Sequence, residues 1–173
     1  EPGLVHTVCT GQGACMPVTF EAAVYEGHGR LSVTGMEGSL DPLVLAITFL
    51  KAHAARLGIA GDLLMRRDVH LHAEGMAPHA EQFGAAIVVA VLSALQGMPV
   101  PQGTVVLGDV GLSGRWMLPD DGGRLEAMAH HFGGRQVLAP VIPHTKDAHP
   151  PRIFEATDRL FGRRRDVAPC IGF

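Results

Sequence analysis

The chain has 173 residues, of which 47% are hydrophobic, and a formal net charge of −3 at pH 7. This length suits one compact domain that buries its core without disulfides or a metal. The mild charge argues against a nucleic-acid or membrane partner recruited by bulk electrostatics, and the longest apolar stretch, Phe83 to Leu95, is too short to span a bilayer.

The first third of the chain predicts a hairpin, a further strand and a helix. The three strands are predicted over Leu4 to Thr10, Ala14 to Tyr25 and Arg30 to Thr34. A helix follows because apolar residues recur at helical spacing, with Ser39 or Asp41 as its cap and Gly58 at its end. We expect this helix to be continuous.

Strands and helices alternate in the rest of the chain. Strands are predicted over Asp68 to Ala73, Thr104 to Leu107, Gly114 to Leu118 and Gln136 to Ala139. Helices are predicted from Glu81 to Gln96, from a cap at Asp120 or Asp121 to Gly133-Gly134, and from Phe154 to Phe161. This order predicts an α+β or mixed α/β fold with a partly parallel sheet.

We expect one domain over residues 1–162 and a polar, basic tail over 163–173, in which Arg163 to Arg165 form a solvated run. The chain begins at Glu1 without a leader, which favours a piece of a longer protein with a partner domain upstream.

The three cysteines indicate reduced thiols and a cytoplasmic location, because their count is odd and no secretory signal precedes them. Cys9 and Cys15 flank the glycine-rich turn of the predicted hairpin. A disulfide between them stays open, with free thiols as the default.

Short motifs along nearly the whole chain share their order and spacing with a known family. They are Phe20-Glu21-Ala22, Gly27 to Leu31, Asp68 to His72 with Glu74-Gly75 and Pro78, Ser93 to Gly97 with Pro99-Val100, Gly108-Asp109-Val110, Leu112-Ser113-Gly114 and Val137 to Pro140. Together they resemble the proteolytic domain of the Lon protease family. The resemblance implies an N-terminal β-hairpin and a partly parallel sheet packed with helices. It also implies a homo-oligomer, in this family a hexameric ring, whose ATPase module binds ATP and Mg²⁺ outside this domain.

The family cleaves peptides with a serine nucleophile and a lysine base, and neither is found where the resemblance places it. Counting back without gaps from Ser93 to Gly97 puts Gln82 at the serine position. Counting from the flanking motifs puts Gly123 at the lysine position, and sliding by one residue gives Arg124. A carboxamide is no nucleophile for a peptide carbonyl, and a guanidinium stays protonated at ordinary pH.

The full set of lysines and serines in the chain, which does not depend on alignment, also indicates that the dyad is missing. The lysines are Lys51 and Lys146, and the serines are Ser32, Ser39, Ser93 and Ser113. Neither lysine lies near the expected site in linear order. Ser93 falls late in an apolar helix, where a hydroxyl usually bonds back to a helix carbonyl.

Histidines supply the remaining candidate ligands. His70 and His72 point to one strand face, at a spacing that metals use, although a structural role is favoured. The pair His130-His131 suits a helix C-terminus, and His144 and His149 lie in a proline-rich loop. No Gly-Lys-Ser/Thr phosphate loop is present, so we expect no cofactor in this domain.

The leading hypothesis is therefore a degenerate Lon-type domain that lacks its dyad and acts in ring assembly or in binding polypeptide. The first alternative is an active endopeptidase that uses non-standard residues. A histidine-rich metal-binding module is the second.

Overall fold

A computed structural model describes residues 1–11, 13–36, 40–77, 83–141 and 151–162. Its strands are β1 Leu4–Gly11, β2 Ala14–Glu26, β3 Leu31–Met36, β4 Arg67–Ala77, β5 Thr104–Val106, β6 Asp109–Val110, β7 Trp116–Met117 and β8 Gln136–Leu138. Its helices are α1 Asp41–Ala52, α2 Ala54–Leu57, α3 Gly84–Gln96, α4 Gly122–His131 and α5 Ile153–Phe161, and a 3-10 turn spans Leu63–Met65.

One mixed sheet organises the fold, with strands in the order β3-β4-β2-β1-β5-β8. The pairs β1–β2 and β2–β4 are antiparallel, whereas β3–β4, β1–β5 and β5–β8 are parallel. The mixed α/β class and the N-terminal hairpin predicted from the sequence are confirmed.

Helix α3 is the centre of the main core. Every residue from Gly84 to Ser93 is buried, because α3 is apolar on all sides and packs against β1, β2 and α1. Inward-facing side chains of the sheet, such as Phe20 and Leu71, complete this cluster, and Ile153 adds α5 to it. None of the helices in the described ranges is long and apolar enough to cross a membrane.

A smaller cluster lies on the other face of the sheet, under α4. It consists of Val8, Val105, Leu107, Leu125 and Ala129. The sheet therefore has α1, α3 and α5 on one face, while α4 covers its β1–β5–β8 part on the other.

The predicted continuous helix from Asp41 to Gly58 is wrong, because the structure breaks it at His53 into α1 and α2. The His53 ring packs between Phe49 and Phe154, and its Nε2 donates to the Leu112 carbonyl at 2.9 Å. These long-range contacts outweigh the local periodicity. Gly58 ends α2 in the left-handed conformation, as predicted.

The predicted cap of α1 and one strand also need correction. The N-cap residue of α1 is Leu40, and no side chain caps this helix. Asp121 is the N-cap residue of α4, as predicted, although its side chain forms no capping hydrogen bond. Of the segment predicted from Gly114 to Leu118, Trp116–Met117 forms a strand that pairs with β6 in a separate two-stranded sheet, and Arg115 forms an isolated bridge with Arg152. Ser39 lies outside the described residues.

Asp68 fixes the turn between β2 and β3. One of its carboxylate oxygens accepts the Arg30 N–H at 2.9 Å and the His28 N–H at 2.7 Å. These bonds, with that from Arg30 the larger effect, lower the pKa of Asp68, because they favour the charged carboxylate.

Candidate active site

The first turn of α4 positions the residue expected to replace the lysine. The chain turns after Leu118-Pro119, where the Gly122 N–H donates to the Pro119 carbonyl at 2.9 Å. Gly122 is buried against Leu118, and a Cβ there would lie 2.8 Å from the Leu118 Cβ. Gly123 is exposed, and a Cβ on it would meet nothing within 4 Å. The predicted lysine position, Gly123, is thus an open point on the surface of α4.

Arg124 points to a different place. Its guanidinium donates to the Gly13 carbonyl at 2.8 Å and so ties α4 to the turn of the β1–β2 hairpin. Gly123 lines the neighbouring cleft, whereas Arg124 does not. Of the two registers considered for the lysine, only Gly123 therefore faces a space that could hold a substrate.

The cleft beside Gly123 has a volume of about 790 Å³. One wall is α4, which contributes Gly123, Glu126 and His130. The other wall is α5, with Glu155 and Arg159. The floor is mainly apolar and consists of Trp116, Leu118, Pro119, Val137, Leu138, Ala139 and Pro140. Apolar floors with a few polar groups on the walls are typical of ligand sites.

The start of α3 is the other half of the expected site. The Ala85 N–H donates to the Gly108 carbonyl at 3.1 Å, so one amide of the first turn is already engaged. The Asp109 carboxylate lies against Gly84, since a Cβ on Gly84 would fall 2.0 Å from its oxygen. This anion sits at the positive end of the helix dipole, where it is stabilising.

The β6–β7 hairpin connects the start of α3 with the cleft. Asp109 is on β6, opposite Met117, and the next pair is Val110 with Trp116. Trp116 lines the cleft and anchors the hairpin by donating its Nε1–H to the Leu107 carbonyl at 2.8 Å. The hairpin therefore contacts the start of α3 and lines the cleft into which Gly123 opens.

The predicted serine position, Gln82, lies outside the described residues, as do Ser39 and Lys146. Lys51 is exposed on α1 and is not among the residues that line the cleft. Ser93 is buried, as expected, but it does not bond back within its helix. Its hydroxyl donates to the Met98 carbonyl at 2.5 Å and accepts the Gly3 N–H at 2.9 Å, which makes it a structural link.

The two histidines of β4 share a face, as predicted. His70 is hydrogen-bonded to Ser32 and Thr34, and His72 is bonded to the same Thr34 hydroxyl at 2.8 Å. Within the described ranges, no group of three or more His, Cys, Asp or Glu side chains is arranged to hold a metal ion. His130 bonds the Gly134 carbonyl through Nδ1 at 3.1 Å, and His144 and His149 lie outside the described residues.

Cys9 and Cys15 are free thiols. Cys9 is opposite Met16 and Cys15 is opposite Thr10, so the two side chains point to opposite faces of the hairpin. Burial, and secondarily the nearby Cys15, raises the pKa of the Cys9 thiol. A disulfide within this turn is therefore excluded by the register of the pairing.

The sequence alone did not reveal that α5 forms a wall of the cleft. Glu155 and Arg159 are four residues apart and thus share a helix face, and this spacing was the available signal. The position of that face depends on the docking of α5, where Arg56 forms a two-pronged ion pair with Asp158 and stacks over Phe154.

Comparison with known proteins identifies the same family that the sequence motifs resemble. Residues 2–150 match the family model for the Lon protease (S16) C-terminal proteolytic domain. The chain is 36% identical over 128 residues to a Lon protease of Erwinia amylovora, and 35% over 128 residues to one of Escherichia coli K12. Each alignment covers 71% of this chain and 16% of the relative. For a Lon protease of Finegoldia magna the identity is 29% over 142 residues, which is 80% of this chain and 18% of that protein. The chain thus spans less than a fifth of these relatives.

Proposed function

The chain belongs to the Lon protease family as its proteolytic domain, and we propose that it is a non-catalytic member that acts in ring assembly or in binding polypeptide. The observation that supports this most directly is Gly123, which lines the cleft without any side chain that could accept a proton. In the alternative register, Arg124 is a permanently charged group bound to the Gly13 carbonyl, which is no base either. Gln82, at the predicted serine position, has a carboxamide that is no nucleophile for a peptide carbonyl.

The retained cleft supports binding as the remaining role. Its apolar floor and polar walls suit a polypeptide, and they need no nucleophile to do so. Assembly into a homo-oligomeric, hexameric ring is proposed from the family alone. ATP and Mg²⁺ would then act only through a separate ATPase module, and we expect a cytoplasmic location.

A cleavage assay tests the proposal. The purified chain is incubated with fluorescent casein and with labelled peptides, beside Gln82→Ala and Gly123→Ala variants. We expect no release of fragments above the protein-free blank for any of them. Cleavage that survives Gln82→Ala and disappears when another identifiable residue is replaced would overturn the proposal.

The alternative is an active Lon-like endopeptidase with non-standard residues. Cys15 is the thiol through which this alternative can be tested, because it is free and packs against the cluster under α4 that contains Leu125. A thiol becomes a nucleophile once it is ionised. Iodoacetamide or fluorophosphonate labelling that parallels a measured activity would support the alternative, and a Cys15→Ser variant that keeps that activity would exclude this thiol.

A further inference from the structure

The cleft follows an open edge of the main sheet. β8 is the last strand in the sheet order, and its residues Val137 and Leu138 line the cleft. Helix α4 stands over one face of this edge and α5 over the other, so the edge lies at the bottom of a groove between two helices. A strand that entered the groove would extend the sheet.

The backbone of β8 presents hydrogen-bonding groups to this groove. The Gln136 N–H donates to the Gly103 carbonyl at 3.1 Å, and the Leu138 carbonyl accepts the Leu107 N–H at 2.9 Å. Since alternate residues of a parallel strand bond to the same neighbour, the N–H and C=O groups of Val137 and Ala139 point away from β5. No described strand pairs with them. Unpaired edges of this kind are templates for adding a strand.

The walls of the groove are predominantly acidic. Asp120, Glu126 and Glu155 line it, and none of them forms an ion pair or hydrogen bond with a described residue. Arg159 is the one arginine or lysine among the described lining residues. The carboxylates therefore outnumber the permanent cations, and the field in the groove favours positively charged ligands.

We propose that this groove binds an extended, cationic polypeptide segment by strand addition to β8. The proposal rests on the proposed function, since it specifies the polypeptide that the non-catalytic domain would hold. Val137 and Ala139 supply the main-chain bonds, and Pro140, which has no N–H, ends the pairing. Because side chains of an added strand alternate between faces, its Lys or Arg residues would reach Glu126 on one wall and Glu155 on the other.

Peptide binding to the whole chain tests this directly. The probe is a fluorescein-labelled, end-blocked peptide that repeats Lys-Lys-Val-Val, so that neighbouring lysines point to opposite faces, and its binding is measured by fluorescence anisotropy. The comparison probes replace Lys with Glu, or carry N-methyl groups on alternate amides. We expect the Lys peptide to bind with a salt-dependent Kd, and the Glu peptide to bind at least tenfold more weakly. N-methylation on one edge of the peptide should weaken binding about fivefold, and on the other edge should leave it unchanged.

Variants of the chain separate main-chain pairing from charge. Val137→Pro removes an outward N–H while leaving the bonds of β8 to β5, and it should weaken binding about fivefold. The triple change Asp120→Asn, Glu126→Gln and Glu155→Gln should weaken it about tenfold. The matched triple Glu21→Gln, Glu26→Gln and Glu74→Gln changes the net charge equally, outside the groove, and should leave the Kd unchanged.

Backbone hydrogen exchange supplies the second measurement. On the unmodified chain, the amides of Val137 and Ala139 should exchange more slowly when the Lys peptide is bound. Absence of binding, equal effects of the two triple variants, or binding without slower exchange at these amides would each overturn the proposal. Self-association of the chain that competes with the peptide would also overturn it, because the edge would then pair with a second copy. None of these results bears on catalysis, which the cleavage assay decides separately.

Discussion

Replacing Gly84 by alanine tests whether the start of α3 is packed as tightly as the structure indicates. A Cβ at this position would lie 2.0 Å from a carboxylate oxygen of Asp109 and 2.9 Å from the Val110 nitrogen. The same oxygen accepts the Val110 N–H at 2.8 Å. Asp109 can move away only by breaking that bond, and the Val110 backbone is fixed in the β6–β7 hairpin.

The expected cost follows from overpacking a rigid site. Inserting a methyl group into a close-packed position costs about 1–3 kcal/mol. For a chain of this length, about 1 kcal/mol corresponds to a fall in Tm of about 2–4 °C, so Gly84→Ala should lower Tm by roughly 2–12 °C. Gly123→Ala is the matched control, since its Cβ meets nothing within 4 Å. An alanine at this helical position should be neutral or stabilising by up to about 1 kcal/mol.

These effects are measured by thermal and urea unfolding. The proteins compared are Gly84→Ala, Gly123→Ala, Asp109→Ala and the double variant that combines Gly84→Ala with Asp109→Ala. Removing the Asp109 carboxylate opens space for the new methyl group. The double variant should therefore be more stable than the sum of the single changes predicts, by about 1 kcal/mol. Additive free energies, or a Gly84→Ala variant as stable as Gly123→Ala, would refute the close contact between α3 and β6.

Three further predictions concern the charges and thiols. Asp68→Asn should remove part of the acid sensitivity of the fold. The pKa of Asp68 is lowered in the folded state, so this carboxylate contributes stability above its unfolded pKa of about 3.9, and that stability is lost as the pH falls through the folded pKa. Urea unfolding of both proteins from pH 5 to pH 2 measures the difference. Asp158→Ala should lower the free energy of unfolding by about 1 kcal/mol, because it removes the ion pair with Arg56 that holds α5 in place. Thermal unfolding should show a smaller loss in high salt, which screens the ion pair. Under native conditions iodoacetamide should modify Cys15 well before the buried Cys9, as mass spectrometry of the β1–β2 peptide would show.

Local patterns in the sequence were sufficient to predict most elements of this fold. The β1–β2 hairpin follows from β-favouring residues around one glycine turn, and α3 from a long apolar run that ends at Gly97. The break at His53 could not be predicted locally, because it depends on the Leu112 carbonyl and on Phe154, both distant in sequence. The two-stranded β6–β7 sheet likewise depends on the anchoring of Trp116 at Leu107.

The site was predictable in part. Counting from the flanking motifs gave Gly123, which lines the cleft, but could not decide between Gly123 and Arg124. In the structure the two residues have different surroundings, because the folded β1–β2 hairpin brings the Gly13 carbonyl within reach of the Arg124 guanidinium. The acidic groove could not be predicted from the sequence, because its walls come from α4 and α5 and its floor from the edge of β8, which only the fold brings together.

The fold and the predicted base position are physically separable in this domain, so the proposed loss of catalysis requires no change in the fold. The two cores depend on buried side chains of α3, the sheet and α4, and neither includes Gly123. Because a side chain at Gly123 would project into open space, exchanging lysine for glycine there creates no cavity and leaves no buried group unpaired. The packing therefore neither requires nor rejects a lysine at this position. What the packing does fix is the groove, since the docking of α5 by Arg56 and Asp158 and the anchoring of Trp116 hold its walls and floor in place. The proposed function is consistent with this packing, because a scaffold that keeps the groove rigid places no demand on the side chain at Gly123.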